Sequence, residues 1–194
     1  SAVAVHAVRV SMMKVGGKAA VFGAGPIGLL LVEALRAAGA SEIYVVELSP
    51  QRAQKARDLG ATLVIDPTKD DAVAKIRELT TDGVDVSFEV TGVSSVLQQC
   101  IDVTRIEGQT VIVSIWEKAA SFQPNTVVLT ERNLKGTIAY RDIFPAVMEL
   151  MVKGYFPADK LVTKRIALDD IVPEGFETLV KEKSHIKILV KPGE

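Results

Sequence analysis

A doubly wound α/β fold on a parallel sheet is predicted by three features of this sequence. Short β-branched runs alternate with longer helix-like stretches, the rhythm of right-handed βαβ crossovers. Gly23, Gly25 and Gly28 form a G-x-G-x-x-G between the first run and the helix that follows it. Glu47 closes the second run, nineteen positions after Gly28. Together they predict a Rossmann-type sheet of strand order 3-2-1-4-5-6 over residues 1–153, with a C-terminal extension over residues 154–194.

Six strands are expected, at Lys18–Phe22, Glu42–Glu47, Thr62–Asp66, Val84–Val90, Gln109–Ile115 and Asn133–Ala139. Several are apolar at nearly every position, as strands covered by helices on both faces should be. Between them Pro26–Ala38 reads as a helix ending before Gly39. Ser49 caps a second with Pro50 at its first position, ending at Gly60. Asp70–Thr81 precedes Gly83, and Ser94–Arg105 precedes Gly108. The tail departs from this rhythm, with a helix at Phe144–Lys153, a strand at Thr163–Leu168, a helix at Pro173–Lys183 and a last strand at His185–Lys191. Ala2–Met13 reads as an apolar helix that starts at once, either a cut from something longer or a plain N-terminal helix.

Composition narrows the function. The 194 residues are 48% hydrophobic and 24% charged, with 23 Lys and Arg against 24 Asp and Glu and no block of like charge. That balance argues against nucleic acid and against a polybasic membrane surface. The apolar runs are far shorter than the ~20 residues that span a bilayer, and no secretory leader pattern opens the chain, so a cytoplasmic protein is expected. One cysteine, Cys100, and two histidines, His6 and His185, exclude a disulfide framework and leave no set of protein ligands for zinc.

The glycine motif carries the chemistry. Gly23 permits a tight turn, Gly25 lets a pyrophosphate approach the backbone, and Gly28 lets helix and strand pack closely. The helix opening at Pro26 then offers free amides to the phosphates. Glu47 can accept both adenosine ribose hydroxyls and would repel a 2′-phosphate, which favours NAD over NADP. A methyltransferase binding S-adenosylmethionine also has a Gly-rich turn and an acidic residue, but it has no pyrophosphate to cradle. Arg52 reads either as an adenosine contact or as a solvent-facing side chain. Glu89, Thr91 and Gly92 end the fourth strand, where ligands of open α/β sheets bind, although Glu89 equally fits a solvent-facing strand end. Cys100 fits a small apolar filler, and Lys187 either an edge lysine or a phosphate contact.

The run Gly23-Ala24-Gly25-Pro26-Ile27-Gly28, with Val45-Val46-Glu47-Leu48-Ser49, Ser87-Phe88-Glu89-Val90-Thr91-Gly92 and Thr137-Ile138-Ala139-Tyr140-Arg141, resembles the cofactor half of medium-chain zinc-dependent alcohol and polyol dehydrogenases. Within that family, Val113 to Lys118 and Tyr140 to Val147 look most like the bacterial 2,3-butanediol dehydrogenases. The resemblance implies that Ile27 packs on the nicotinamide, that Glu47 and Arg52 hold the adenosine ribose, and that Pro26 opens the pyrophosphate helix. It implies that Thr91 and Gly92 line the passage to the nicotinamide ribose and that Lys187 reaches the pyrophosphate. Backbone atoms of Val113, Ile115, Thr137 and Ala139 would position the carboxamide.

The resemblance further implies a parent enzyme interconverting 2,3-butanediol and acetoin, or another polyol of the sorbitol or threonine type. Zinc and its ligands would sit in a catalytic domain preceding this chain, so this chain alone holds no catalytic residue and is expected to be inactive. The rival reading is a non-catalytic NAD module whose extension docks a partner. Finally, the sixth strand lies at an open edge, with Thr137 counted among its free donors, and predicts a homodimer through that edge.

Overall fold

The computed structural model describes residues 1–182 and 185–193. Helix α1 (Ala2–Arg9) leads into β1 (Lys18–Phe22), α2 (Pro26–Ala37), β2 (Glu42–Val46), α3 (Pro50–Asp58), β3 (Leu63–Ile65), α4 (Ala72–Thr80), β4 (Val84–Glu89), α5 (Ser94–Val103) and β5 (Thr104–Ile112). The short α6 (Asn125–Val128), β6 (Asn133–Gly136) and α7 (Phe144–Val152) follow. The extension comprises α8 (Ala158–Leu161), β7 (Lys164–Ala167), a π-helical turn (Ile171–Phe176), α9 (Glu177–Lys181) and β8 (Ile188–Lys191). The main sheet has the order β3-β2-β1-β4-β5-β6 with every pairing parallel, as expected; β7 and β8 form a separate two-stranded parallel sheet.

Successive strand residues feed opposite faces of the sheet. Val21, Val45, Phe88 and Val111 join Leu29, Leu31 and Leu35 of α2 and Ala4 and Ala7 of α1 in one core layer. Phe22, Tyr44 and Val46 join Ile76 of α4 and Cys100 and Val103 of α5 in the other. This two-sided burial explains the continuous apolar runs.

Several boundaries move, for local reasons. The helix expected to reach Arg105 stops at Val103, because Thr104 already pairs with Val84 and spends its hydroxyl on the Cys100 carbonyl at 2.8 Å. Strand β5 therefore starts five residues before Gln109. Strand β6 ends at Gly136 rather than Ala139, whose φ of +48° turns the chain out of the sheet. The helix expected at Pro173–Lys183 opens as the π-helical turn, where Pro173 has no amide to donate and Gly175 packs against Ile166. Lys183 lies outside the described residues.

The extension is anchored to the sheet domain rather than loose. Phe156, Leu161 and Ile186 enter the first core layer. Glu33 of α2, 2% exposed, accepts the Phe156 N–H at 3.1 Å and pairs with Arg36 at 2.8 Å. Phe156 itself has a φ of +58°, a conformation that a side-chain-bearing residue holds only when its surroundings fix it. Among the described residues no helix is long and apolar enough to cross a membrane.

Candidate cofactor site

At the end of β1 the chain turns through Gly23, at a φ of +103°, whose N–H donates to the Val46 carbonyl at 2.8 Å. A Cβ at Gly28 would stand 1.9 Å from the Gly23 carbonyl oxygen, so only glycine allows α2 to start this close to the turn. A Cβ at Gly25 would meet nothing within 4 Å. Gly25 caps α2 without a side-chain hydrogen bond, with Pro26 next, so the first-turn amides face open space. The space in front of Gly25 and the positive end of α2 fit a pyrophosphate.

Glu47 sits just past β2. One carboxylate oxygen accepts the Ala24 N–H at 2.7 Å and the other the Ser49 N–H at 2.7 Å. Glu47 thus ties the glycine turn to the start of α3, and its remaining lone pairs are those available to a ribose. Ser49 caps α3 by accepting the Arg52 N–H at 3.4 Å. The Arg52 guanidinium, half-buried one turn into α3, makes no hydrogen bond or ion pair with the described residues.

Across the sheet, the ends of β1, β4 and β5 converge. Of the two readings of Glu89, the solvent-facing one is overturned. It is fully buried at the end of β4 and accepts the Thr91 N–H at 2.7 Å, the Thr91 hydroxyl at 2.5 Å, the Gly92 N–H at 2.9 Å and the Ser114 hydroxyl. A carboxylate accepts four such bonds where a solvent-facing one would need none, and that satisfaction makes its burial tolerable. Thr91 in turn packs on the glycine turn, its Cγ2 2.9 Å from where a Gly23 Cβ would lie. Gly92, at a φ of +70°, faces the Ile115 carbonyl. The Val113 N–H donates to the Glu89 carbonyl at 2.9 Å.

At β6 the expected free donor is already paired: the Thr137 N–H donates to the Ile112 carbonyl at 3.0 Å, inward across the sheet. By the alternation of strand amides, those of Leu134 and Gly136 face the open edge instead. Below the rim an apolar cavity of about 600 Å³ is lined by Pro26, Ile27, Tyr140, Phe144, Met148 and Lys187, among others. Lys187, distant in sequence, therefore lines one cavity with Pro26 and Ile27 from the extension.

The rim thus brings together Gly23 to Gly28, Glu47, Thr91, Gly92, Val113, Ile115 and Thr137. Burial, reinforced by the Glu89 charge, pushes the Cys100 thiol well above its ordinary pKa, and with its side chain fully enclosed it is packing rather than chemistry. Among the described residues no group of three or more His, Cys, Asp or Glu side chains could hold a metal ion. Sequence reading missed the grip of Glu89 and the partnership of Ser114; the signal was an acidic residue inside the apolar run Ser87-Phe88-Glu89-Val90.

Residues 26–153 match the family model described as zinc-binding dehydrogenase. The chain is 65% identical over 194 residues to the (R,R)-butanediol dehydrogenase of Bacillus subtilis strain 168, covering all of this chain and 56% of that protein. It is 40% identical over 191 residues to the (R,R)-butanediol dehydrogenase of Neisseria gonorrhoeae, covering 97% of this chain and 54% of that protein. The crystal structure of 2R,3R-butanediol dehydrogenase from Bacillus subtilis superposes with a TM-score of 0.96 at 64% identity, over 99% of this chain and 55% of that one. The chain spans about half the length of the curated relatives it matches. A parallel 3-2-1-4-5-6 sheet, a glycine turn that no larger residue could make and a match over most of its length leave one assignment: the chain belongs to the zinc-binding dehydrogenases.

Proposed function

We propose that this chain is the NAD-binding part of a cytoplasmic oxidoreductase that moves hydride between NAD and a secondary alcohol of the 2,3-butanediol and acetoin type. The observation that carries the reading is the glycine turn locked by Glu47, with open space in front of Gly25 and free amides at the start of α2. The alcohol is named from the similarity to butanediol dehydrogenases. Gly23, Gly25, Pro26 and Gly28 hold the pyrophosphate and Lys187 approaches it from the extension. Glu47 and Arg52 take the adenosine ribose. Ile27 backs the nicotinamide, Thr91 and Gly92 border its ribose, and Val113, Ile115, Thr137 and Ala139 present backbone to the carboxamide. When bound, the nicotinamide accepts or releases the hydride. Zinc is the family's Lewis acid, and the described residues supply no ligand cluster for it, so this chain's part is to bind and orient the cofactor.

Domain limits of 1–153 and 154–194 belong to the same reading, and so does a homodimer through β6. Leu134 and Gly136 supply the outward amides, so Gly136→Pro, not a change at Thr137, is the variant that should raise the monomer fraction in light scattering.

Calorimetric titration tests the cofactor reading. The wild-type chain should bind NAD more tightly than NADP, and Gly25→Trp, which fills the phosphate space, should abolish both. Glu47→Ala should lower NAD affinity by ~1.5–3 kcal/mol, since its ribose bonds are charge-assisted. NADP should lose far less or gain, because the same change removes the charge facing its 2′-phosphate, so the preference for NAD narrows. A wild type that binds no better than Gly25→Trp would overturn the reading.

A further inference from the structure

We propose that Glu89 is a positioning residue for the nicotinamide half of the cofactor, acting through the Thr91–Gly92 turn and Ser114; the proposal rests on the NAD reading above. Glu89 ends β4, next to β1, where the strand order reverses and open α/β sheets place their ligands. One carboxylate oxygen gathers three donors from Thr91 and Gly92, and the other takes the Ser114 hydroxyl past the end of β5. These are the bonds that hold the turn at the mouth of the crevice, because Thr91 is exposed there and Gly92 stands at a positive φ. Thr91 also packs on the Gly23 turn, so Glu89 fixes the spacing between the phosphate cradle and the segment from Val113 to Ile115. All four donors are neutral and no Lys or Arg pairs with Glu89 among the described residues, so its grip depends on hydrogen-bond geometry rather than on an ion pair.

The substitution logic follows. In Glu89→Gln the amide oxygen can keep the three donors of Thr91 and Gly92, while the NH2 donates to the Ser114 oxygen, reversing that bond. In Glu89→Ala two backbone N–H groups lose their acceptor, and the turn must move to find water. Adenosine and pyrophosphate contacts lie on the β1 and β2 side, so the loss should fall on the nicotinamide side alone.

Titration of NAD and of ADP, which lacks both the nicotinamide and its ribose, reads this difference in the 194-residue chain. Glu89→Ala should weaken NAD about tenfold and ADP less than about twofold, and Glu89→Gln should stay within about threefold for both. Should Glu89→Ala fail to fold, Ser114→Ala decides, with an expected loss of about threefold for NAD and none for ADP. A general loss of fold would weaken both ligands together. Equal loss of both, or unchanged NAD binding in the deciding variant, overturns the proposal while leaving the NAD reading intact. A wild type that binds neither ligand overturns both.

Discussion

The sheet domain and the extension both use carboxylates to place polar backbone next to an apolar core, but with unequal support. At the rim of the sheet, side-chain carboxylates take up the loose amides: Glu47 those of Ala24 and Ser49, Glu89 those of Thr91 and Gly92. The extension has a two-stranded sheet, a π-helical turn and exposed Leu168, Val172, Phe176 and Val180. A two-stranded sheet is marginal by itself. Lys164 with Glu174 and Lys181 with Glu177 pair on the surface and contribute little, and His185 stands 3.5 Å from Glu182. What holds it is the buried contact at Phe156, Leu161 and Ile186 and the clamp of Glu33. The rim is fixed from within, whereas the extension is fixed at one end.

The largest effect should come from Gly28→Ala. Its Cβ would meet the Gly23 oxygen at 1.9 Å and the Gly23 carbonyl carbon at 2.9 Å, both backbone, so no side chain can swing aside. A loss of ~3 kcal/mol or more, roughly 6–12 °C in Tm, is expected in thermal unfolding. Gly25→Ala, whose Cβ meets open space, should stay within about 1 kcal/mol. Similar losses for the two would mean that the turn can relax and that the rim is less rigid than its contacts imply.

Glu33→Ala should separate the two regions. It leaves the buried Phe156 N–H without an acceptor and Arg36 with only the Leu59 carbonyl, a cost of ~2 kcal/mol. Limited proteolysis should then cut around Phe156 to Thr163 sooner, while amides of β1, β4 and β5 keep slow hydrogen exchange. Faster exchange throughout the sheet at unchanged cleavage would show that Glu33 supports the core and not the clamp.

How much of this was legible in the sequence divides along the same line. The six strands, their order and the glycine turn follow from local pattern, because each strand is short, apolar on both faces and punctuated by glycine or a capping residue. Element ends were less legible: Thr104 reads as helix until its pairing with Val84 is known. Glu89 and Glu33 were missed in their roles because a carboxylate in an apolar run carries no local sign of its partners, which come from a turn in one case and from 123 residues away in the other. The π-helical turn was missed because Pro173 looks like a helix start when the packing of Gly175 on Ile166 of β7 is unseen.

The smallest effect is expected from acid, and it should fall on the sheet domain. Among the described residues Glu42, Asp66 and Asp85 are held below their ordinary pKa, and these three belong to it. Asp85 links the foot of the sheet: it accepts the Lys18 N–H at 2.8 Å and the Arg105 guanidinium at 2.8 Å. Partial burial pushes its pKa up, but those two donors outweigh it and the net shift is downward from 3.8. A carboxylate with a depressed folded pKa contributes stability that is fully present above the unfolded value and is lost as pH falls through the folded value. Stability measured by urea unfolding should therefore be level from pH 7 to about 5 and decline below about 4. Asp85→Asn should lower the plateau and flatten the decline, since the variant has no proton to take up at that position. Proteolysis at the extension should track the pH less than unfolding of the sheet does, because Glu42, Asp66 and Asp85 lie in the sheet domain. An equally steep acid decline in Asp85→Asn would assign the acid sensitivity to Glu42 and Asp66, and earlier release of the extension in acid would reverse the ranking of the two regions.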